Sequence, residues 1–200
     1  MMSMKLIGSI WLVMAMATVA QDSAPVLDTS GQALQSGVDY YIKPAITDNG
    51  GRFTLINRND SCPLYVGQEN TSGPKGYPVT FAPFAEGETV VRVGRDQKIT
   101  FSASTICVQS TAWKVGETQS ETQRRLIVTG IDENESRPTG NYFKINKQAD
   151  LDGIYNFEWC PTEVCPICKF ICSDVGALVE NDKRLLALDG SVLPVVFERA

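Results

Sequence analysis

Thr89-Val90-Val91-Arg92-Val93 and Asn141-Tyr142-Phe143-Lys144-Ile145 read as β-strands. Arg92 sits between Val91 and Val93, and Lys144 between Phe143 and Ile145, so apolar side chains fall on one face and the polar one on the other. β-branched and aromatic residues suit such a pleated, half-buried surface. Working outward, similar short runs occur at 38–42, 52–56, 64–66, 78–81, 98–101, 106–109, 124–129, 142–145, 154–159, 177–179, 185–188 and 195–198. Asp48-Asn49-Gly50-Gly51, Ser72-Gly73-Pro74 and Leu188-Asp189-Gly190 supply turns between them. Many short strands at close spacing indicate an all-β barrel or sandwich. No helical stripe of useful length occurs after the first twenty residues, and the polar stretch 116–123 reads as a hairpin loop.

The first twenty residues carry Lys5 and then no charge from Leu6 to Ala20. That run is short for a bilayer span of roughly 20 residues, and Thr18-Val19-Ala20 suits signal peptidase, so 1–20 is expected to be a signal peptide cleaved before Gln21. The remaining 21–200 is expected to form a single domain, secreted to the apoplast or vacuole, with no membrane attachment. Loss of Lys5 leaves 17 of the 18 basic residues against 23 acidic ones, a net charge of −6. Such a chain lacks the basic stripe that nucleic acid requires. Asn59, Asn70 and Asn134 each begin an Asn-x-Ser/Thr sequon and are candidate glycosylation sites on exposed loops.

Six cysteines stand at 62, 107, 160, 165, 168 and 172, in a chain with no histidine. An even count in a secreted chain reads as a disulfide framework. Cys62 and Cys107 lie far from the other four, which suggests one long bridge and two local ones, although spacing alone does not select the pairing. The absence of histidine removes the Ser-His-Asp triad, the Cys-His nucleophile pair and imidazole-ligated metals. Cys165-Pro166-Ile167-Cys168 has the spacing of thiol oxidoreductases but no βαβ context, so a structural bridge is expected. Spacing alone would also allow a zinc knot from Cys160, Cys165, Cys168 and Cys172, which oxidation in the secretory route opposes. Asp28, Asp132, Glu133, Asp150, Asp152, Glu158 and Asp182 are scattered among turns rather than paired as in a glycosidase. No enzyme activity, cofactor or metal is expected. Trp113 and Trp159 lie in apolar settings and read as core.

Val26-Leu27-Asp28-Thr29-Ser30-Gly31-Gln32-Ala33-Leu34, followed by Tyr40-Tyr41-Ile42, resembles the N-terminal signature of the plant Kunitz (soybean trypsin inhibitor) family. Ser30 departs from it, at a position usually acidic, amide or Thr. The likeness continues through Ser61-Cys62-Pro63-Leu64, Pro78-Val79-Thr80-Phe81 and the run from Phe101 to Ser110. It resumes at Asn141-Tyr142-Phe143-Lys144-Ile145, Trp159-Cys160-Pro161, Cys172-Ser173-Asp174-Val175-Gly176 and Arg184-Leu185-Leu186-Ala187-Leu188. The cysteine-rich C-terminal part is similar to the miraculin-like branch. The resemblance implies a β-trefoil, that is, a closed barrel with a hairpin cap, stapled by Cys62–Cys107, Cys160–Cys172 and Cys165–Cys168.

It also implies a monomeric inhibitor of endopeptidases, of the serine class first and the cysteine class second. Such an inhibitor presents an exposed loop that the protease binds like a substrate. A loop already held in shape gives up little entropy on docking. One side chain, just before the scissile bond, fills the specificity pocket. By position after Cys62 the corresponding loop is Ala82-Pro83-Phe84-Ala85-Glu86-Gly87-Glu88. Anchoring on Pro83 selects Ala85, counting from Cys62 selects Glu86, counting from Thr80 selects Gly87, and a bulged loop selects Phe84. None is Lys or Arg, so a trypsin pocket loses its charge-paired anchor and a non-tryptic preference is expected. The loop-propping asparagine of the family is replaced here by Ser36. The alternative is a non-inhibitory binding, defence or storage protein on the same scaffold, because fold does not dictate function.

Overall fold

The computed structural model describes residues 23–46, 49–120, 122–133, 136, 138–149 and 151–200. The leader 1–20, the sequon residue Asn134 and the carboxylate Asp150 lie outside the described residues. Thirteen strands run through them: β1 Tyr40–Pro44, β2 Phe53–Ile56, β3 Tyr65–Gln68, β4 Val79–Pro83, β5 Gln97–Phe101, β6 Trp113–Thr118 and β7 Arg125–Thr129, then β8 Lys144–Lys147, β9 Tyr155–Trp159, β10 Ser173–Glu180, β11 Lys183–Leu188, β12 Ser191–Val192 and β13 Val195–Arg199. The helical content of the described residues is a single 3-10 turn, Thr139–Asn141, and no helix among them is long and apolar enough to cross a membrane.

The strands form two layers. β1 pairs with β13 and with β4, β4 with β5, β8 with β9, and β9 with β13, all antiparallel. Gln97 in β5 bridges Phe143, next to β8, through two backbone hydrogen bonds of 3.0 Å, which closes these six strands into a barrel. Closure leaves no free sheet edge in the ring. The hairpins β2–β3, β6–β7 and β10–β11 form the cap. β3, β7 and β11 meet there as a triangle, through Tyr65↔Val128, Leu126↔Ala187 and Leu185↔Gly67. This is a β-trefoil, with three related units at β1–β4, β5–β8 and β9–β13. At the triangle a Cβ on Gly67 would lie 2.2 Å from the Arg184 carbonyl oxygen, so two cap strands can approach only because this residue is glycine.

The alternation of strand residues produces the core. Ile42, Phe53, Val79, Phe81, Ile99, Phe143, Ile145, Val195 and Phe197 are all fully buried. Trp113 lies at the centre against Phe53, Phe101, Phe143 and Phe157. A smaller cluster of Leu126, Leu185 and Ala187 fills the cap. Cys62 is bonded to Cys107, Cys160 to Cys172 and Cys165 to Cys168.

Several expected elements differ. Residues 89–93 are not a ladder strand: Val90 and Arg92 make isolated bridges to Gln35 and Pro25, and Val91 is fully buried. This segment pairs with the N-terminal arm rather than with a neighbouring strand. Residues 106–109 are irregular, because Cys107 is drawn inward by its bridge while Ile106 and Val108 face solvent. Residues 116–118 belong to β6 rather than to a loop, and beyond them the Gln119 N–H donates to the Arg124 carbonyl at 2.8 Å. Trp159 is only half-buried and packs edge-on against Phe170.

The Asp28 turn secures the N-terminal arm. The Asp28 carboxylate accepts from the Ser30 hydroxyl at 2.6 Å and from the N–H groups of Ser30 and Gln32 at 2.8 and 3.0 Å. Burial works against its charge, but these bonds and Arg199 outweigh it and hold the carboxyl below its ordinary value. A depressed folded pKa gives stability that is present above the unfolded value, about 3.9, and is lost as pH falls through the folded one. Asp28→Asn is therefore expected to show a shallower loss of stability than the unmodified protein between pH 6 and pH 2, measured by urea unfolding. Parallel acid limbs would contradict this assignment.

Candidate reactive loop

The segment 84–88 leaves β4 at Pro83 and returns toward 89–93. The Glu88 N–H donates to the Ala85 carbonyl at 3.3 Å, and Gly87 has φ +76°. A positive φ at the third position is what a type II turn requires, and glycine adopts it without steric cost. Glu86 and Gly87 form the exposed tip, and Ala85 is half-buried. Glu88 turns back: its carboxylate accepts from the Val90 N–H at 3.3 Å and pairs with Arg92 at 3.4 Å. Phe84 is 40% exposed, and its ring meets Tyr142 edge-on at 5.3 Å. The Lys98 ammonium lies over the same Tyr142 ring at 5.2 Å. Phe84 is thus part of the support, and the side chain presented outward at the apex is Glu86.

The base of the loop is fixed from two sides. The Ser36 hydroxyl donates to the Phe81 carbonyl at 3.2 Å and its N–H to the Thr89 carbonyl at 2.8 Å, so Ser36 ties the two flanks together without reaching the tip. On the other side the Phe84 N–H donates to the Asp96 carbonyl at 2.8 Å. The Asp96 carboxylate accepts from the Glu163 and Val164 N–H groups at 2.7 and 3.2 Å. In return the Asp96 N–H donates to the Glu163 carboxylate at 2.8 Å, and that carboxylate also pairs with Arg95. The space enclosed beneath the loop is about 10 Å³, room for no more than one water.

Burial raises the Asp96 pKa, against the two N–H bonds and the Lys144 ammonium at 3.9 Å. The sign is opposite to that of Asp28: the folded state takes up this proton before the unfolded chain does, so Asp96 alone adds stability on acidification. Asp96, Glu163 and Tyr142 were not legible as loop supports in the sequence, since Glu163 lies 67 residues from Asp96 and no local motif joins them.

Elsewhere, Asn59 and Asn70 are both exposed, and the Asn70 amide donates to the Asp182 carbonyl at 2.7 Å. Among the described residues Glu158, Cys160 and Cys172 place metal-type donors together, but the two sulfurs are bonded to each other and are not thiolate ligands.

Residues 26–199 match the legume Kunitz family, described as trypsin and protease inhibitor. Kunitz type trypsin inhibitor 104 of Medicago truncatula is 48% identical over 196 residues, covering 97% of this chain and 95% of that one. Among solved structures, the rice bifunctional alpha-amylase/subtilisin inhibitor superposes with a TM-score of 0.72 at 33% identity, covering 90% of this chain and 100% of that one. The Kunitz-type cysteine protease inhibitor from potato gives a TM-score of 0.75 at 30% identity, covering 90% and 98%. With the barrel, the cap and the order of motifs from Val26 to Arg199, the match leaves one conclusion: the chain belongs to the legume Kunitz trypsin and protease inhibitor family.

Proposed function

We propose that this chain is a secreted, monomeric inhibitor of serine endopeptidases that presents 84–88 to the protease and prefers a non-basic residue there. The observation that carries this reading is the Glu86-Gly87 tip, exposed while both flanks are held by Ser36, Asp96 and Tyr142. A held loop loses little entropy on docking, and the names of its relatives are those of protease inhibitors. Three disulfides suit an oxidising compartment, in keeping with secretion. The exposed Asn59 and Asn70 are accessible to glycosylation.

Purified protein assayed against chymotrypsin-like, elastase-like and papain-like proteases tests the proposal, and no inhibition at micromolar concentration would reject it. Ala85→Arg and Glu86→Arg, made separately, then locate the reactive bond. The side chain introduced by Ala85→Arg cannot be accommodated in an apolar pocket and is expected to weaken inhibition at least about 30-fold, whereas Glu86→Arg exchanges one charge for another and is expected to shift the preference toward trypsin. One observation favours the second reading, a non-inhibitory binding or storage protein: 85–88 closes into a hydrogen-bonded turn instead of running extended.

A further inference from the structure

The disulfide-rich segment 160–172 has a geometry that stapling the barrel does not require. Its first half is fixed. Cys160 and Cys165 are buried, the Cys165 N–H donates to the Pro161 carbonyl at 3.1 Å, and Glu163 and Val164 are bound to Asp96. A turn at 166–167, closed by the Cys168 N–H on the Cys165 carbonyl at 3.1 Å, then sends 168–172 outward. Among the described residues the backbone of 169–171 makes no backbone hydrogen bond. Lys169 is exposed, with no acidic partner among the described ion pairs. Ile167 and Ile171 are 77% and 89% exposed. Phe170 turns inward, its ring edge-on to Trp159 at 5.4 Å. Trp159 is itself fixed by its indole N–H on the Thr139 carbonyl at 3.0 Å and by the Arg125 guanidinium 5.0 Å from its ring.

We propose that Lys169–Phe170 is a second reactive bond, directed at serine endopeptidases whose specificity pocket carries a carboxylate. Lys169 supplies the cation that the 84–88 loop lacks. The free backbone of 169–171 is available to pair with the protease as an added strand. Ile167 and Ile171, left largely uncovered by the described residues, flank the bond and become buried on docking.

The disulfides explain why such a bond would inhibit rather than be consumed. Attack of the protease serine hydroxyl on the Lys169 carbonyl forms an ester, breaks the peptide bond and passes the serine proton to the Phe170 nitrogen. The acyl side is pinned at Cys168 by its bridge to Cys165, and the amine side is tied to the acyl side through Cys172–Cys160 and the Phe170–Trp159 contact. The amine therefore remains beside the ester at high effective concentration. Its attack on the ester re-forms the peptide bond and frees the serine before water can act.

The test is titration of trypsin with the full chain. The native protein is expected to inhibit, Lys169→Arg to retain inhibition, and Lys169→Ala to weaken it at least about 100-fold. The double variant Cys165→Ala/Cys168→Ala is expected to be cut at Lys169–Phe170 faster than the native chain, as followed by mass spectrometry. Inhibition of non-tryptic proteases through 84–88 is expected to be unchanged in Lys169→Ala, which reports folding and lets the two proposals fail separately. Absence of trypsin inhibition by the native chain, equal inhibition by Lys169→Ala, or rapid cleavage at Lys169–Phe170 without resealing would overturn it.

Discussion

Trp113→Ala is expected to destabilise the protein by about 3–5 kcal/mol, the usual cost of emptying an aromatic site in a packed core. Trp113 is fully buried at the start of β6, and its ring centroid lies 5.2 Å from Phe157, 5.8 Å from Phe143, 5.9 Å from Phe53 and 6.1 Å from Phe101. Those rings come from all three units of the trefoil, so one truncation loosens the contact among them. Against a total stability of about 5–15 kcal/mol, this is a large share. Urea unfolding followed by circular dichroism measures it. Trp113→Phe is expected to lose less, because most of the ring volume is kept and the indole N–H meets no acceptor among the described residues. A loss below about 1 kcal/mol for the alanine variant would contradict the central position of this ring.

The second large effect is expected from Cys62→Ala/Cys107→Ala, which also avoids leaving a free thiol. The bridge closes 45 residues, and in the chain-entropy model its loss costs about 4 kcal/mol. By the same model the Cys165–Cys168 bridge, with a separation of 3, contributes about 1.6 kcal/mol. Cys107 is buried between the exposed Ile106 and Val108, in a segment outside any strand. The bridge is thus the main tether of 103–110 to the barrel. The double variant is expected to lower the denaturant midpoint and to speed amide exchange across 103–110. Exchange there matching the native protein would show that packing alone holds the segment.

The strands were legible where side chains alternate or run continuously apolar. The run at 195–198 lies within β13, where buried Val195 and Phe197 alternate with half-buried Val196 and Glu198, and that at 185–188 lies within β11 as a continuous apolar run buried throughout. β10 was legible only at 177–179, because Ser173, Asp174 and Gly176 carry no strand signal; pairing with β9 and β11 makes them strand. The opposite error at 89–93 has the same origin. Its side chains suit a strand, but the partners available to it are single residues of the N-terminal arm. Local propensity cannot see which partner a segment will meet.

For the proposed reactive loop, the sequence placed 84–88 between two landmarks, Cys62 and the 89–93 run, but left Phe84, Ala85, Glu86 and Gly87 equivalent. Folding separates them, by turning Phe84 onto Tyr142, Glu88 onto Arg92 and Glu86 into solvent. From residue order alone came the all-strand class, the disulfide framework, the loss of histidine chemistry and the absence of a basic side chain in the loop, because each is a property of composition or short-range pattern. Closure of the barrel at Gln97 and Phe143, the Asp96–Glu163 support and the outward path of Lys169 were decided by tertiary structure, because each depends on groups that only folding brings within hydrogen-bonding or van der Waals reach.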